Sequence, residues 1–171
     1  GNAAQHFRRN KGRCNGSLWW QLNDCWGCPS WSSVDYFGKW KPLMYDAKRF
    51  FSPVALSVND TGGAAEIYLL NDTLQSGDYT VKAKIMDFDG KTLDETVENV
   101  YSKAGEPQRA AVISTAGYDK RKHFIMAELY KDGKRIFETT AVLAPERTLA
   151  LARAKIRIYV QGNSLTLESN T

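Results

Sequence analysis

The chain has 171 residues, of which 43% are hydrophobic and 25% charged, and its formal net charge is +4. That is longer than the roughly 100–150 residues of a common domain, and the balance is that of a globular chain with a core to bury rather than a disordered one. No run of about 20 apolar residues is present to span a bilayer as a helix, so no membrane partner is expected.

The distribution is less ordinary than the average. All five tryptophans (Trp19, Trp20, Trp26, Trp31, Trp40) and all three cysteines (Cys14, Cys25, Cys28) precede residue 41. Residues 1–51 carry eight Lys/Arg against three acids, Asp24, Asp35 and Asp46, whereas residues 52–171 carry fifteen against sixteen. A composition shift of this kind marks a domain boundary near Phe51. The opening residues show no basic region followed by an apolar one, and an odd cysteine count fits reduced thiols, so a cytoplasmic location is the expectation.

In chain order, residues 3–9 read as the end of a helix. Residues 16–22, Gly-Ser-Leu-Trp-Trp-Gln-Leu, are a short apolar run of the kind expected of a strand buried on both faces of a parallel sheet. The following residues 24–40 break any period with Gly27, Pro29, Gly38 and three serines, which predicts a long loop. Residues 41–51 resume helical spacing through Leu43, Tyr45, Ala47 and Phe50, with Pro42 in the first turn, where its missing N–H costs nothing. Helix, strand, loop, helix is one unit of an alternating α/β fold, and one unit cannot close a sheet by itself.

From Pro53 the period changes to two. Tyr79, Val81, Ala83 and Ile85 alternate with Thr80, Lys82 and Lys84, the pattern of a half-buried strand. Further candidate strands cover residues 54–59, 66–71, 92–100, 109–114, 123–131 and 134–143, with hairpin turns at Asp89-Gly90 and Asp132-Gly133. Seven short strands without a convincing helix predict an antiparallel immunoglobulin-like sandwich. After Pro145 the pattern restarts: Ile156, Ile158 and Val160, then a turn at Gln161-Gly162-Asn163, then Leu165 and Leu167. This hairpin either completes the sandwich or begins a further domain, and the second reading is preferred because a hairpin alone is marginally stable. The expected units are residues 1–51, 52–150 and 151–171.

The run WWQLND, followed by PSWSSVDYFGKWK and YDAKRFFSPV, closely resembles the end of the catalytic barrel of β-mannosidases in glycoside hydrolase family 2, over about residues 6–54. The resemblance implies a mainly β fold, in which an immunoglobulin-like antiparallel β-sandwich is preceded by the last strand, loop and helix of a (β/α)8 barrel and followed by another small β domain. It also implies a longer enzyme that releases terminal β-D-mannose from β-mannoside oligosaccharides with retention, needing no metal and no cofactor. Such enzymes use two carboxyl groups roughly 5–5.5 Å apart as acid/base and nucleophile, and in the resembled family both are glutamates on earlier barrel strands. The first glutamate of this chain is Glu66, and every later one falls in the predicted sandwich or hairpin. No residue here is therefore expected to be catalytic, and the chain alone is expected to hydrolyse nothing. What it retains is one wall of the sugar site. Aligned on the family's strand, Trp20 is the candidate floor of the subsite beside the scissile bond, its flat face suited to the C–H face of a pyranose. Asn23 and Asp24, just past the strand end, are candidates to contact substrate hydroxyls or to orient their neighbours. Trp19 is expected to point into the helix layer, while Trp26, Trp31 and Trp40 are open to lining the outer cleft or packing the long loop, the second being the preferred expectation.

Other readings of the same residues are weaker. Cys25-Trp26-Gly27-Cys28 has redox spacing, but Pro29 follows the pair and a strand precedes it. Cys14, Cys25, Cys28 and His6 number four nominal zinc ligands, yet Cys14 and His6 are too far apart for the second tight pair, so no metal is expected. The basic run at residues 6–13 reads as a solvated helix end, and no nucleic-acid partner is expected. The remaining function class is a non-catalytic carbohydrate-binding or scaffolding sandwich, which would stack sugar on Tyr68, Tyr79, Tyr101, Tyr118 or Tyr130. The expected partners are the rest of a longer chain and its β-mannoside, with self-association as the consequence of an exposed barrel unit.

Overall fold

The computed structural model describes residues 2–169. Among them, two short helices, α1 (Asn2–Arg9) and α2 (Pro42–Phe50), precede nine strands: β1 (Val54–Asp60), β2 (Ala64–Asn71), β3 (Gly77–Asp87), β4 (Thr92–Ser102), β5 (Pro107–Ser114), β6 (His123–Lys131), β7 (Lys134–Val142), β8 (Ile156–Gln161) and β9 (Ser164–Ser169). One antiparallel sheet runs β1-β2-β5 and a second runs β4-β3-β6-β7, while β8 and β9 pair only with each other. The fold is the mainly β, immunoglobulin-like sandwich that the period-two pattern implies.

The core follows from that period. β3 turns Tyr79, Val81, Ala83 and Ile85 inward. β6 sets Leu129, Ala127 and Ile125 in register with Val81, Ala83 and Ile85. β2 of the other sheet covers them with Ala65, Ile67 and Leu69, all fully buried. β6 and β7 are joined by two residues, Asp132 at φ 50° and Gly133 at φ 73°, the left-handed pair that a type I′ hairpin turn requires. On the outer face of the larger sheet the buried Glu128 carboxylate accepts from Lys84 Nζ at 2.8 Å and Arg135 Nη1 at 2.9 Å. Burial opposes its charge, but the two donors outweigh it and hold the carboxyl below its ordinary range.

Two expectations are corrected here. Residues 16–22 form no strand: Leu18 is fully exposed, Trp20 is 76% exposed, and the only pairing nearby is single bridges from Val34 to Asn23 and to Trp40. A parallel strand takes its hydrogen bonds from neighbouring strands, and none lies alongside among the described residues. The basic run is solvated only in part: Lys11 and Arg13 are exposed, but Arg8 and Arg9 are half-buried. Arg8 donates to the carbonyls of Phe50 (2.5 Å) and Ser52 (2.7 Å) and to Asp72 Oδ2 (3.0 Å). Arg9 reaches Ser57 and Asn59, and Lys11 pairs with Asp72 at 3.2 Å. Desolvation lowers the Arg9 pKa, with Tyr68 and Glu66 opposing that shift. α1 and α2 share a small core of Ala4, Ala47 and Phe50 with Leu43 against it. The hairpin β8–β9 places Ile156, Ile158, Val160, Leu165 and Leu167 on one exposed face, so it does not complete the sandwich.

Because all tryptophans precede residue 41, far-UV circular dichroism follows the sandwich while tryptophan fluorescence follows the first segment. Ile125→Ala, which empties a fully buried site, is expected to lower the unfolding free energy of the sandwich by about 2–5 kcal/mol in a urea titration followed by circular dichroism.

Candidate functional site

The residues singled out in the first segment lie on and beside the loop between Trp20 and α2. That loop has its own hydrogen-bond scaffold. Val34 N donates to Leu22 O at 2.9 Å, Asp24 N to Val34 O at 3.0 Å, and Lys41 N to Ser33 O at 2.8 Å. Ser33, fully buried, also accepts from Trp19 Nε1 at 2.6 Å. Trp19 thus faces the helix layer, stacked on Phe51 at 5.4 Å and edge-on to Phe50 at 6.4 Å. Asp35 Oδ1 caps a tight turn by accepting from the N–H groups of Phe37 and Lys39.

Trp20 projects into solvent, and its peptide bond to Gln21 is cis. Asn23 is exposed and donates to Asp24 O at 3.1 Å. Asp24 does the opposite of presenting itself to a ligand. It is 4% exposed, and its carboxylate accepts from Lys41 Nζ at 2.7 Å and from Ser30 Oγ. Lys41 Nζ also donates to Ser32 Oγ at 2.8 Å. Hydrogen bonds from Lys41 and then Ser30 hold the Asp24 carboxyl at about 2, below its ordinary 3.8, against the opposing effect of burial. Asp24 is thus buried and bonded within the loop, each carboxylate oxygen accepting from a loop side chain. Trp26 and Trp31 do not pack the loop: they are 67% and 79% exposed, whereas Trp40 rests edge-on against Tyr45 at 5.2 Å.

Sequence reasoning missed Ser30, Ser32, Ser33 and Lys41. The readable signal was Lys41 itself, a cation at the start of a helix whose first turn has no acid, which opposes the helix dipole. Among the described residues, Cys14, Cys25 and Cys28 are free thiols, and no group of three or more His, Cys, Asp or Glu side chains lies close enough to hold a metal ion.

Residues 63–147 match the family described as Mannosidase Ig/CBM-like domain. The crystal structure of the β-D-mannosidase from Dictyoglomus thermophilum superposes on 98% of this chain and 21% of that one, with a TM-score of 0.81 and 29% identity. Residues 63–147 thus carry the domain of that family, and the chain is similar in fold and sequence to β-mannosidases. β-Mannosidase A of Neosartorya fischeri is 38% identical over 94 residues, 52% of this chain and 10% of that protein. The β-mannosidase of Capra hircus is 61% identical over 44 residues, 26% of this chain and 5% of that protein. The chain thus matches about a tenth or less of the length of these relatives. An exo-chitosanase of Amycolatopsis orientalis, at 16% identity and a TM-score of 0.70, shares the fold.

The Asp24 carboxyl, followed by NMR, is expected to titrate near pH 2. Its pKa is depressed in the folded loop, so the stabilisation from the Lys41 pair is fully present above about 3.8 and is lost as pH falls toward 2. A midpoint at 3.8 or above would mean that the pair does not form in solution.

Proposed function

We propose that this chain is part of a retaining exo-glycosidase that hydrolyses terminal β-D-mannose residues, and that it supplies one wall of the sugar site while the two catalytic glutamates lie elsewhere in the enzyme. The observation that carries this reading is the likeness of 98% of the chain, first segment included, to one β-D-mannosidase structure. By the resemblance of its WWQLND run, we assign Trp20 to the sugar-facing end of a strand that forms only with the rest of the barrel, where barrel active sites are built. There its indole stacks on the apolar face of the mannose ring, Asn23 offers an amide to a hydroxyl, and Asp24 holds the loop behind them.

The division of labour follows from the chemistry. Retention needs one carboxylate to attack the anomeric carbon and another to protonate the leaving oxygen and then deprotonate water, the two being roughly 5–5.5 Å apart. In residues 1–51 the only acids are Asp24, Asp35 and Asp46. Asp24 is ion-paired, Asp35 is spent on a turn, and Asp46 lies on α2. Leu18, Trp20, Leu22, Trp26, Trp31 and Phe37 are all more than half exposed, an apolar surface suited to the remainder of a barrel. Without that remainder the same surface favours self-association.

A non-catalytic sugar-binding sandwich has less support. Tyr79 is in the core, which leaves scattered tyrosines and no tryptophan beyond residue 40. The chain alone, at high concentration, is expected to release no chromophore from p-nitrophenyl β-mannoside; turnover above blank would overturn the proposal. Titration with mannan oligosaccharides separates the alternative, since saturable binding lost on Tyr101→Ala would favour the module.

A further inference from the structure

Cys25 and Cys28 have the spacing of an exchangeable dithiol, and in the folded chain no strand precedes them. Pro29 follows Cys28 and no helix begins there, so the pair lacks the helix N-terminus that activates the thiol of a dithiol oxidoreductase. A turnover catalyst is not built here. What the loop does build is a pair of thiols able to close on each other.

The residues on either side of the pair are tied together. Ser30 Oγ donates to Asp24 Oδ1, and Lys41 Nζ reaches Asp24 Oδ2 at 2.7 Å and Ser30 Oγ at 3.4 Å. The chain therefore leaves Asp24 and is back beside it at Ser30, bending at each of residues 25–28. Cα atoms three positions apart lie about 10 Å apart in an extended chain, and a disulfide needs about 4.4–6.8 Å. A segment that reverses between residues 24 and 30 is drawn from the first distance toward the second. Nothing resists the final adjustment: Gly27 has open space around it, and among the described residues no backbone hydrogen bond holds residues 25–29. Both thiols are free and exposed. The third cysteine stands apart, the Cys14 thiol donating to Gly16 O at 3.4 Å.

We propose that Cys25 and Cys28 form a reversible intramolecular disulfide, with a low-molecular-weight disulfide such as glutathione disulfide as oxidant, and that this bond clips residues 24–30 covalently where Asp24, Ser30 and Lys41 already hold them by hydrogen bonds. One cysteine thiolate attacks a sulfur of glutathione disulfide; the oxidant's S–S bond breaks and one glutathione leaves as thiolate. The second cysteine thiolate attacks the protein sulfur of the mixed disulfide and expels the other glutathione. Two protein thiols are oxidised, one glutathione disulfide is reduced to two thiols, and two protons pass from the cysteines to glutathione. The oxidant needs access to one sulfur rather than to an open face. The site stands whether or not the chain supplies one wall of a sugar site.

The test is a titration of the 171-residue chain in glutathione redox buffers, quenched with acid, alkylated and read by peptide mass spectrometry. Wild type is expected to give the Cys25–Cys28 disulfide with Cys14 alkylated as a thiol, and Cys25→Ser to give only a mixed disulfide of Cys28 with glutathione. The value of [GSH]²/[GSSG] at half-oxidation is the effective concentration of one thiol at the other. It is expected to be about tenfold higher in buffer than in concentrated urea, because the fold and not the spacing alone brings the sulfurs together. Ser30→Ala, which cuts the tie to Asp24, is expected to lower it toward the urea value while the circular dichroism of the sandwich stays unchanged. Equal values in buffer and urea, mixed disulfides in place of the Cys25–Cys28 bond, or a bond to Cys14 would each overturn the proposal. So would a longer parent protein in which both thiols stay reduced in the buffer that oxidises this chain.

Discussion

Buried backbone N–H and C=O groups must find partners, and the two halves of this molecule meet that constraint by different means. From Val54 to Val142 the ladders of two antiparallel sheets meet it, and the same ladders bring alternate side chains of β2, β3 and β6 into one core. Between Trp19 and Lys41 no ladder exists. There the carbonyls of Leu22, Ser33 and Val34 are taken up by loop N–H groups, and buried serines take the place of neighbouring strands. The sandwich supplies its own framework; the loop borrows one from side chains.

Charge decides how the halves meet. Arg8 extends along the C-terminal end of α2, where carbonyls are left over by the helix and a cation is favoured. It closes there on Phe50 O and Ser52 O, then reaches Asp72 at the end of β2. One guanidinium thus ties α1, α2 and the sandwich together, with Lys11 sharing the same carboxylate. Arg9 makes the adjoining contacts along β1. The segment that carries the aromatic loop is seated on the sandwich by these contacts rather than by an extension of either sheet.

Family membership and loop geometry bear on different questions. The likeness to β-mannosidases says what the chain is similar to, while the ion pair at Asp24 says how the loop is held. A carboxylate in a glycosidase loop invites assignment to catalysis. Its burial, its ammonium partner 2.7 Å away and its depressed pKa make it a brace. Trp20, Trp26 and Trp31 face outward, exposed in the chain by itself.

How much was legible depends on the range of the interactions. The strands of the sandwich could be read because alternation is local: Tyr79, Val81, Ala83 and Ile85 declare their face within seven residues, and Asp132-Gly133 its turn within two. The helix at Pro42 was legible for the same reason. The aromatic run at residues 16–22 was misread because a buried parallel strand is a property of its neighbours, which a local pattern implies without supplying. Arg8 and Arg9 were misread as solvated because their partners lie 42 to 64 positions away. The sequence by itself determined the sandwich and the lack of any glutamate before Glu66. Only the tertiary structure decided that Asp24 is paired with Lys41 and that Arg8 and Arg9 bond to α2, β1 and Asp72, because each depends on groups brought together across the chain by folding.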